Sequence, residues 1–216
     1  MAQQNKTYVT TCITKVTKAN GEVVETVKEE KFGEDTIPES FKQFLDSKPE
    51  DKPKKSIEGS PEEQKMELER SALEAHNRHR AKHGVPDLTL AEDLCEMAQK
   101  WADYLASINT PKHSDENHRG ENVGENLANK WSSDGELLTG EEATNMWYNE
   151  IKDYDFDKPG FRSGIGHFTQ VVWKESKEFG IGRGRTANGG NFVVANYRPA
   201  GNYNDDFAKN VLKPKA

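Results

Sequence analysis

The spacing of apolar residues predicts a core-facing helix between residues 89 and 105. Apolar positions recur there every three or four residues, which places them on one side of a helix with 3.6 residues per turn. The stripe consists of Leu90, Leu94, Met97, Ala98, Trp101 and Leu105. A second apolar stripe begins near Thr139 and extends as far as Tyr154, and it predicts another helix.

Three hydroxyl residues predict where helices begin. Each is followed three positions later by glutamate, which is typical of a capping box, where each side chain bonds the other residue's backbone N–H. The pairs are Ser60–Glu63, Thr89–Glu92 and Thr139–Glu142. The earliest helix is expected from Pro61 to His83, because proline suits a first turn and Gly84 readily ends a helix.

Strands are predicted toward the C-terminus. Residues 179–186 and 191–197 favour a hairpin, because β-prone runs flank a glycine-rich turn. Glycines alternate along one face of the first strand, where the missing side chains let another element approach closely; they are Gly180, Gly182 and Gly184. We also expect a strand over 167–173, with His167 and Trp173 on the same face.

The N-terminal region has a different pattern. Residues 7–32 alternate β-prone and charged side chains around Asn20-Gly21, which predicts a β-hairpin. A short helix is expected over 38–48, and prolines among charged residues predict a linker over 47–61. Because a lone hairpin is marginally stable in water, this one must pack on something, pair with another chain or fray.

These elements predict an α+β fold, a three-layer α/β/α sandwich with a central, mainly antiparallel sheet. The N-terminal β-hairpin would be an extension of it. We divide the chain into an N-terminal extension over 1–46, a linker over 47–61 and a main domain over 62–216.

Net charge and cysteine content exclude some classes of partner and indicate a cellular compartment. The net charge of −7 and the pI near 5.5 argue against a nucleic-acid partner, which would require a basic face. Two cysteines, Cys12 and Cys95, form no disulfide framework, and the N-terminus has no apolar run of a signal peptide. The expectation is an intracellular, cytoplasmic protein that is not secreted by a classical signal, with peripheral association with the Golgi or another membrane as an alternative.

Four residues are the candidates for chemistry: His113, Glu125, Glu150 and His167. Glu150 falls on the apolar side of the helix predicted after Thr139, where a carboxylate without a partner is costly. Two imidazoles and two carboxylates in one cleft would hold a divalent cation or polarise a water.

The surroundings of these residues resemble the CAP superfamily (cysteine-rich secretory, antigen 5 and pathogenesis-related 1 proteins). Within it, they are most similar to its intracellular, Golgi-associated branch. The stretches that carry the resemblance are residues 75–77, 83–86, 124–128, 147–151, 166–173 and 191–197. The resemblance implies the three-layer CAP sandwich, with His113 and His167 facing a metal and the carboxylates Glu125 and Glu150 beside them. Two protein ligands make a weak site, so Zn²⁺ or another divalent cation would be loosely bound.

The resemblance also implies a binding module without catalysis, which engages lipid, sterol or a protein partner, including a second copy. Ala2 replaces the glycine that accepts a myristoyl anchor in that branch, so contact with an anionic membrane would depend on the protein surface. One alternative is a metal-assisted hydrolase that uses the same four residues, or a serine variant with Ser132 or Ser133. Another is a scaffold that self-associates through the N-terminal hairpin.

A second group of histidines has helical spacing. His76, His79 and His83 lie at positions i, i+3 and i+7 of the first predicted helix. This spacing permits a metal triad, but we expect solvated or helix-capping side chains instead.

Overall fold

The structure, a computed structural model, describes five ranges of the chain. It gives strand pairing for residues 7–17 and 23–33, and side chains for 59–114, 123–132 and 136–215. The helix predicted over 38–48 and the linker up to residue 58 lie outside these residues.

The described ranges contain five α-helices, two 3₁₀ turns and six strands. The helices are α1 (Pro61–His83), α2 (Glu92–Ile108), α3 (Gly140–Tyr148), α4 (Gly166–Val171) and α5 (Phe207–Asn210), with 3₁₀ turns at Asn149–Asp153 and Asn204–Asp206. The strands are β1 (Thr7–Thr17), β2 (Val23–Gly33), β3 (Thr89–Leu90), β4 (Gly124–Trp131), β5 (Glu178–Arg185) and β6 (Gly190–Arg198).

The strands form one sheet in the order β2-β1-β4-β6-β5-β3. Every pairing is antiparallel except the short parallel one between β3 and β5, so the predicted mainly antiparallel sheet is confirmed. The β5–β6 hairpin and the β1–β2 hairpin both lie where the sequence predicts them. β1 also pairs with β4, from Val9↔Trp131 to Ile13↔Leu127, and thereby joins the N-terminal hairpin to the sheet.

β6 shows why the fold has three layers. Successive residues of a strand point to opposite faces, and β6 is buried on both. Val193, Ala195 and Tyr197 belong to the apolar cluster that includes residues of α1, α3 and α4. Phe192 and Val194 belong to a second cluster with residues of α2. The sheet is therefore the middle layer of the predicted α/β/α sandwich.

The alternating glycines of β5 let α2 lie directly on the sheet. A Cβ at Gly180, Gly182 or Gly184 would come within 2.3 Å of the α2 backbone. The close approach predicted from the glycine spacing is confirmed.

Two of the three predicted capping boxes are present. Ser60 and Glu63 cap α1, and Thr139 and Glu142 cap α3, each with both reciprocal hydrogen bonds. The box predicted at Thr89 is wrong, because Thr89 pairs with β5 and α2 begins only at Glu92. The Thr89 N–H bonds the Lys177 carbonyl at the sheet edge, so the backbone of Thr89 is extended and does not begin a helix.

The strand predicted over 167–173 is also wrong. Residues 166–171 form α4, with a backbone hydrogen bond from the Thr169 N–H to the Ile165 carbonyl. Every residue from Gly166 to Trp173 is buried, so burial marks no separate face of this segment. When a segment is buried all round, periodicity does not separate helix from strand.

Candidate His–Glu site

The first histidine of the candidate site is held by a carboxylate from β4. His113 lies five residues after the end of α2, and Glu125 is the second residue of β4. The His113 Nδ1 lies 2.6 Å from Glu125 Oε1, and both side chains are buried. Glu125 also accepts hydrogen bonds from the Ser114 N–H at 2.9 Å and the Ser114 hydroxyl at 2.6 Å. We call His113 and Glu125 the first dyad.

The second histidine is held in the same way from a different element. Glu150 lies in the 3₁₀ turn after α3, and its Oε1 is 2.7 Å from His167 Nδ1. Its Oε2 accepts the backbone N–H groups of His167 at 2.9 Å and Phe168 at 3.1 Å. Glu150 therefore caps the N-terminus of α4, whose first N–H groups have no partner inside the helix. His167 and Glu150 form the second dyad.

Asn126 connects the two dyads. It follows Glu125 in β4, and its Nδ2 donates to the backbone carbonyl of His167 at 3.2 Å. Successive residues of β4 therefore contribute Glu125 to the first dyad and Asn126 to the backbone of His167. The buried Glu150 thus has the partner that its position requires, and each imidazole lies beside a carboxylate, as two separate pairs.

The donor set suits a weak cation site. A hydrogen bond from Nδ1 to a carboxylate fixes the ring orientation and the tautomer of a metal-binding histidine, with the lone pair at Nε2. Within the ranges that the structure describes, no three His, Cys, Asp or Glu side chains come together in a way that could hold a metal ion. A cation shared by His113 and His167 would thus have two protein ligands, fewer than the three of a typical catalytic zinc.

The histidines of α1 are buried, so the predicted solvated or capping roles are wrong. The His76 Nδ1 bonds the Ala72 carbonyl and its Nε2 bonds the Tyr197 hydroxyl, both at 2.8 Å. His79 stacks on Tyr148 with ring centroids 3.7 Å apart. Burial lowers the pKa of His76 to about 3 and that of His79 to about 4. The helical spacing of these histidines shows in the sequence that they share one face of α1. Only the packing shows that this face is interior.

Ser132 lies too far from Glu125 to serve in the serine variant of a hydrolase site. Ser132 is buried beyond the last residue of β4, whereas Glu125 is near its start. Seven residues of extended strand separate the two by roughly 23 Å. Ser133 lies outside the described residues.

The comparisons with known proteins identify the family. The model of the cysteine-rich secretory protein (CAP) family matches residues 73–197, more than half of the chain. The chain belongs to the CAP family. It is 50% identical over 145 residues to Golgi-associated plant pathogenesis-related protein 1 of Homo sapiens, and the match covers 66% of this chain and 91% of that protein.

Two further relatives extend the comparison. Pathogenesis-related protein 1A of Nicotiana tabacum is 39% identical to this chain over 133 residues. The match covers 61% of this chain and 74% of the tobacco protein. The crystal structure of NaASP2 with Zn²⁺ is similar in fold, with a TM-score of 0.52 and 25% identity, and the match covers 73% of this chain and 91% of that one.

Across the described ranges, no helix combines the length and the hydrophobicity that a membrane span requires. Cys95 is a free, buried thiol, and burial raises its pKa to about 12, so it is unreactive at neutral pH.

Proposed function

We propose that the protein is a CAP-domain binding module without catalysis, in which His113 and His167 hold a divalent cation such as Zn²⁺ loosely. The observation that carries the proposal is the paired geometry, with an Nδ1-to-carboxylate distance of 2.6 Å in the first dyad and 2.7 Å in the second. Both imidazoles are therefore oriented as metal-binding histidines are, with the carboxylates acting behind the rings.

A relative supports the choice of metal. NaASP2, which shares this fold at 25% identity, has a crystal structure with Zn²⁺. Neutral imidazole is a good zinc ligand, and a site with two protein ligands leaves the remaining coordination positions to water or to a bound partner. We expect exchangeable binding that is not needed for folding.

Calorimetric titration of the full chain with ZnCl₂ tests this function. We expect one weak, saturable site, which loses about tenfold or more in affinity in His113→Gln and in His167→Gln, because each variant removes one of two ligands. His79→Gln is the matched control, since His79 is also buried but bonds Asn145 instead of a carboxylate. Unchanged zinc affinity in the double variant of His113 and His167 would sink the proposal.

The carboxylates favour binding over hydrolysis. Glu125 and Glu150 each accept three hydrogen bonds, from an imidazole and from neighbouring N–H or O–H groups. A general base in a metal-assisted hydrolase must instead reach the attacking water. Turnover of peptide or ester substrates with Zn²⁺, abolished in Glu125→Gln, would establish the hydrolase instead.

A surface beside the first dyad supports an anionic lipid as the partner. The Lys112 ammonium lies 5.6 Å from the Trp101 ring centroid and 5.1 Å from that of Tyr104. Tyr104 and the nearby Ile108 are among the exposed large apolar side chains. Aromatic rings with a lysine suit the headgroup region of a membrane, and we propose that the protein binds there from inside the cell, as a peripheral protein.

Vesicle sedimentation tests the lipid surface. Phosphatidylcholine vesicles containing phosphatidylserine should bind the full chain, and binding should weaken as salt rises. Lys112→Glu should reduce it, whereas Lys174→Glu, an exposed lysine remote in sequence, should not. Equal binding to vesicles without phosphatidylserine would contradict an anionic lipid partner.

A further inference from the structure

Asn126 is a buried amide that the proposed function does not use. Its side chain is almost fully buried, and its Nδ2 donates both to the His167 carbonyl at 3.2 Å and to the Tyr197 hydroxyl at 3.1 Å. A backbone carbonyl can only accept, so the atom that faces it must be the amide nitrogen. The orientation of the amide is thus fixed by its partners.

Asn126 lies between the two dyads. Glu125, its neighbour, belongs to the first dyad, and His167 belongs to the second. The same end of β4 also packs tightly on α4, since a Cβ at Gly124 would lie 2.1 Å from Gln170 Oε1. Asn126 therefore joins the strand that orients one imidazole to the helix that carries the other.

Tyr197 and His76 fix the Asn126 amide through a chain of hydrogen bonds. Because the tyrosine oxygen accepts from Asn126, its O–H is directed to His76 Nε2, 2.8 Å away. His76 in turn donates from Nδ1 to the Ala72 carbonyl at 2.8 Å. All members of this chain of hydrogen bonds are buried, and every donor in it has an acceptor. A complete buried network holds its members in one arrangement.

We propose that Asn126 is a positioning residue that sets the separation of the His113 and His167 imidazoles, with Tyr197 and His76 fixing its amide. The inference rests on the proposed cation site, which needs both imidazoles at once. Asn126 touches neither the cation nor the imidazoles, so it acts through β4 and the backbone of α4.

Zinc titration of the full chain tests the inference with a matched control. Asn191 is also a buried asparagine of the sheet, but it bonds the Lys130 carbonyl and the Leu138 N–H, far along the sheet from the dyads. Asn126→Ala should weaken zinc binding by about tenfold, as loss of an outer-shell partner does, whereas Asn191→Ala should stay within about twofold. Equal zinc affinity in the two variants would overturn the positioning role.

A spectroscopic readout separates positioning from general damage. Proton NMR of the metal-free protein should show a downfield Nδ1–H signal for each dyad, and both signals should persist in Asn126→Ala while zinc affinity falls. Loss of the signals would mean that Asn126 maintains the dyads themselves, which contradicts the proposal.

Tyr197 supplies a milder second variant. Tyr197→Phe should weaken zinc binding less than Asn126→Ala, and the double variant should bind zinc no more weakly than Asn126→Ala alone, because Tyr197 acts through Asn126. If the losses of zinc affinity in the two single variants added up in the double variant, Tyr197 would not act through Asn126.

Failure of the proposed cation site can be distinguished from failure of the positioning role of Asn126. If the wild-type chain shows no saturable zinc binding, the proposed function fails, and hydrogen exchange of residues 166–171 decides the positioning role. Faster exchange there in Asn126→Ala than in Asn191→Ala supports it, and equal exchange overturns it.

Discussion

Burial changes the chemistry of the α1 histidines. His76 is fully buried and bonded at both ring nitrogens, and His79 is nearly fully buried and bonds Asn145 through Nε2 alone, contacts that suit neutral rings. A neutral histidine in the folded chain can bind a proton only by opposing the burial that lowers its pKa. These residues therefore link stability to pH without lying in the candidate site.

We predict that the protein loses stability as the pH falls from about 7 to about 5. The folded-state pKa is about 3 for His76 and about 4 for His79, below the ordinary value of 6.5. The unfolded chain therefore takes up protons first, and stability decreases as the pH falls below about 6.5, by up to about 1.4 kcal/mol per pH unit for each histidine. Urea unfolding at a series of pH values measures this slope.

His79→Gln provides the control for the pH dependence. It removes one of the buried histidines whose pKa is lowered, so the slope between pH 7 and 5 should become smaller. A slope equal to that of the wild type would mean that His79 does not contribute.

At the scale of elements, contact between α2 and β5 depends on missing side chains. We predict that Gly182→Ala destabilises the protein by about 1–3 kcal/mol or more, because overpacking a close contact forces the backbone to shift. The added Cβ would lie 2.3 Å from the Gln99 backbone nitrogen and 2.4 Å from its Cα. Urea unfolding measures the loss. Arg185→Ala, at an exposed position of the same strand, should change stability by less than about 0.5 kcal/mol, and a similar small effect at Gly182 would contradict the prediction.

α4 depends on a carboxylate from outside the helix. Six residues are too few for a helix to be stable alone, and Glu150 supplies acceptors for the N–H groups of His167 and Phe168. We predict that Glu150→Gln destabilises the protein by about 1.5–3 kcal/mol, the usual worth of a hydrogen bond to a charged group. Hydrogen exchange should increase mainly in residues 166–173.

Glu141→Gln is the control for the α4 cap. Glu141 is an exposed carboxylate paired with Arg78, and exposed ion pairs contribute little. Should the two variants show the same exchange in α4, the capping role of Glu150 would be wrong.

At the scale of the whole molecule, the N-terminal hairpin covers the β4 edge of the sheet. We predict that Thr11→Pro increases self-association, because proline cannot donate to the sheet and the freed edge can pair with another chain. Thr11 lies between Glu29 of β2 and Asn129 of β4. Light scattering should show a mass that rises with concentration above that of the wild type.

Thr7→Pro is the matched control for the hairpin. Thr7 is the first residue of β1 and lies outside the segment paired with β4, a position where proline is tolerated. A Thr11→Pro mass that equals that of Thr7→Pro at every concentration would contradict edge protection.

The sequence by itself determined the elements whose signals are local. The capping boxes of α1 and α3, the apolar stripe of α2 and the glycine spacing of β5 each depend on neighbours within a few residues. The motifs around His113, Glu125, Glu150 and His167 were sufficient to predict the CAP fold.

Only the tertiary structure decided what depends on contacts between distant segments. α4 is a helix because Glu150 caps it and the core encloses it, β3 is a strand because the edge of β5 pairs with it, and the α1 histidines are neutral because the sheet covers them. The pairing of each histidine with its carboxylate and the link through Asn126 also join residues that no local pattern relates. Burial and long-range hydrogen bonding override local preference where both faces of a segment are enclosed, since no solvent side remains to mark its period.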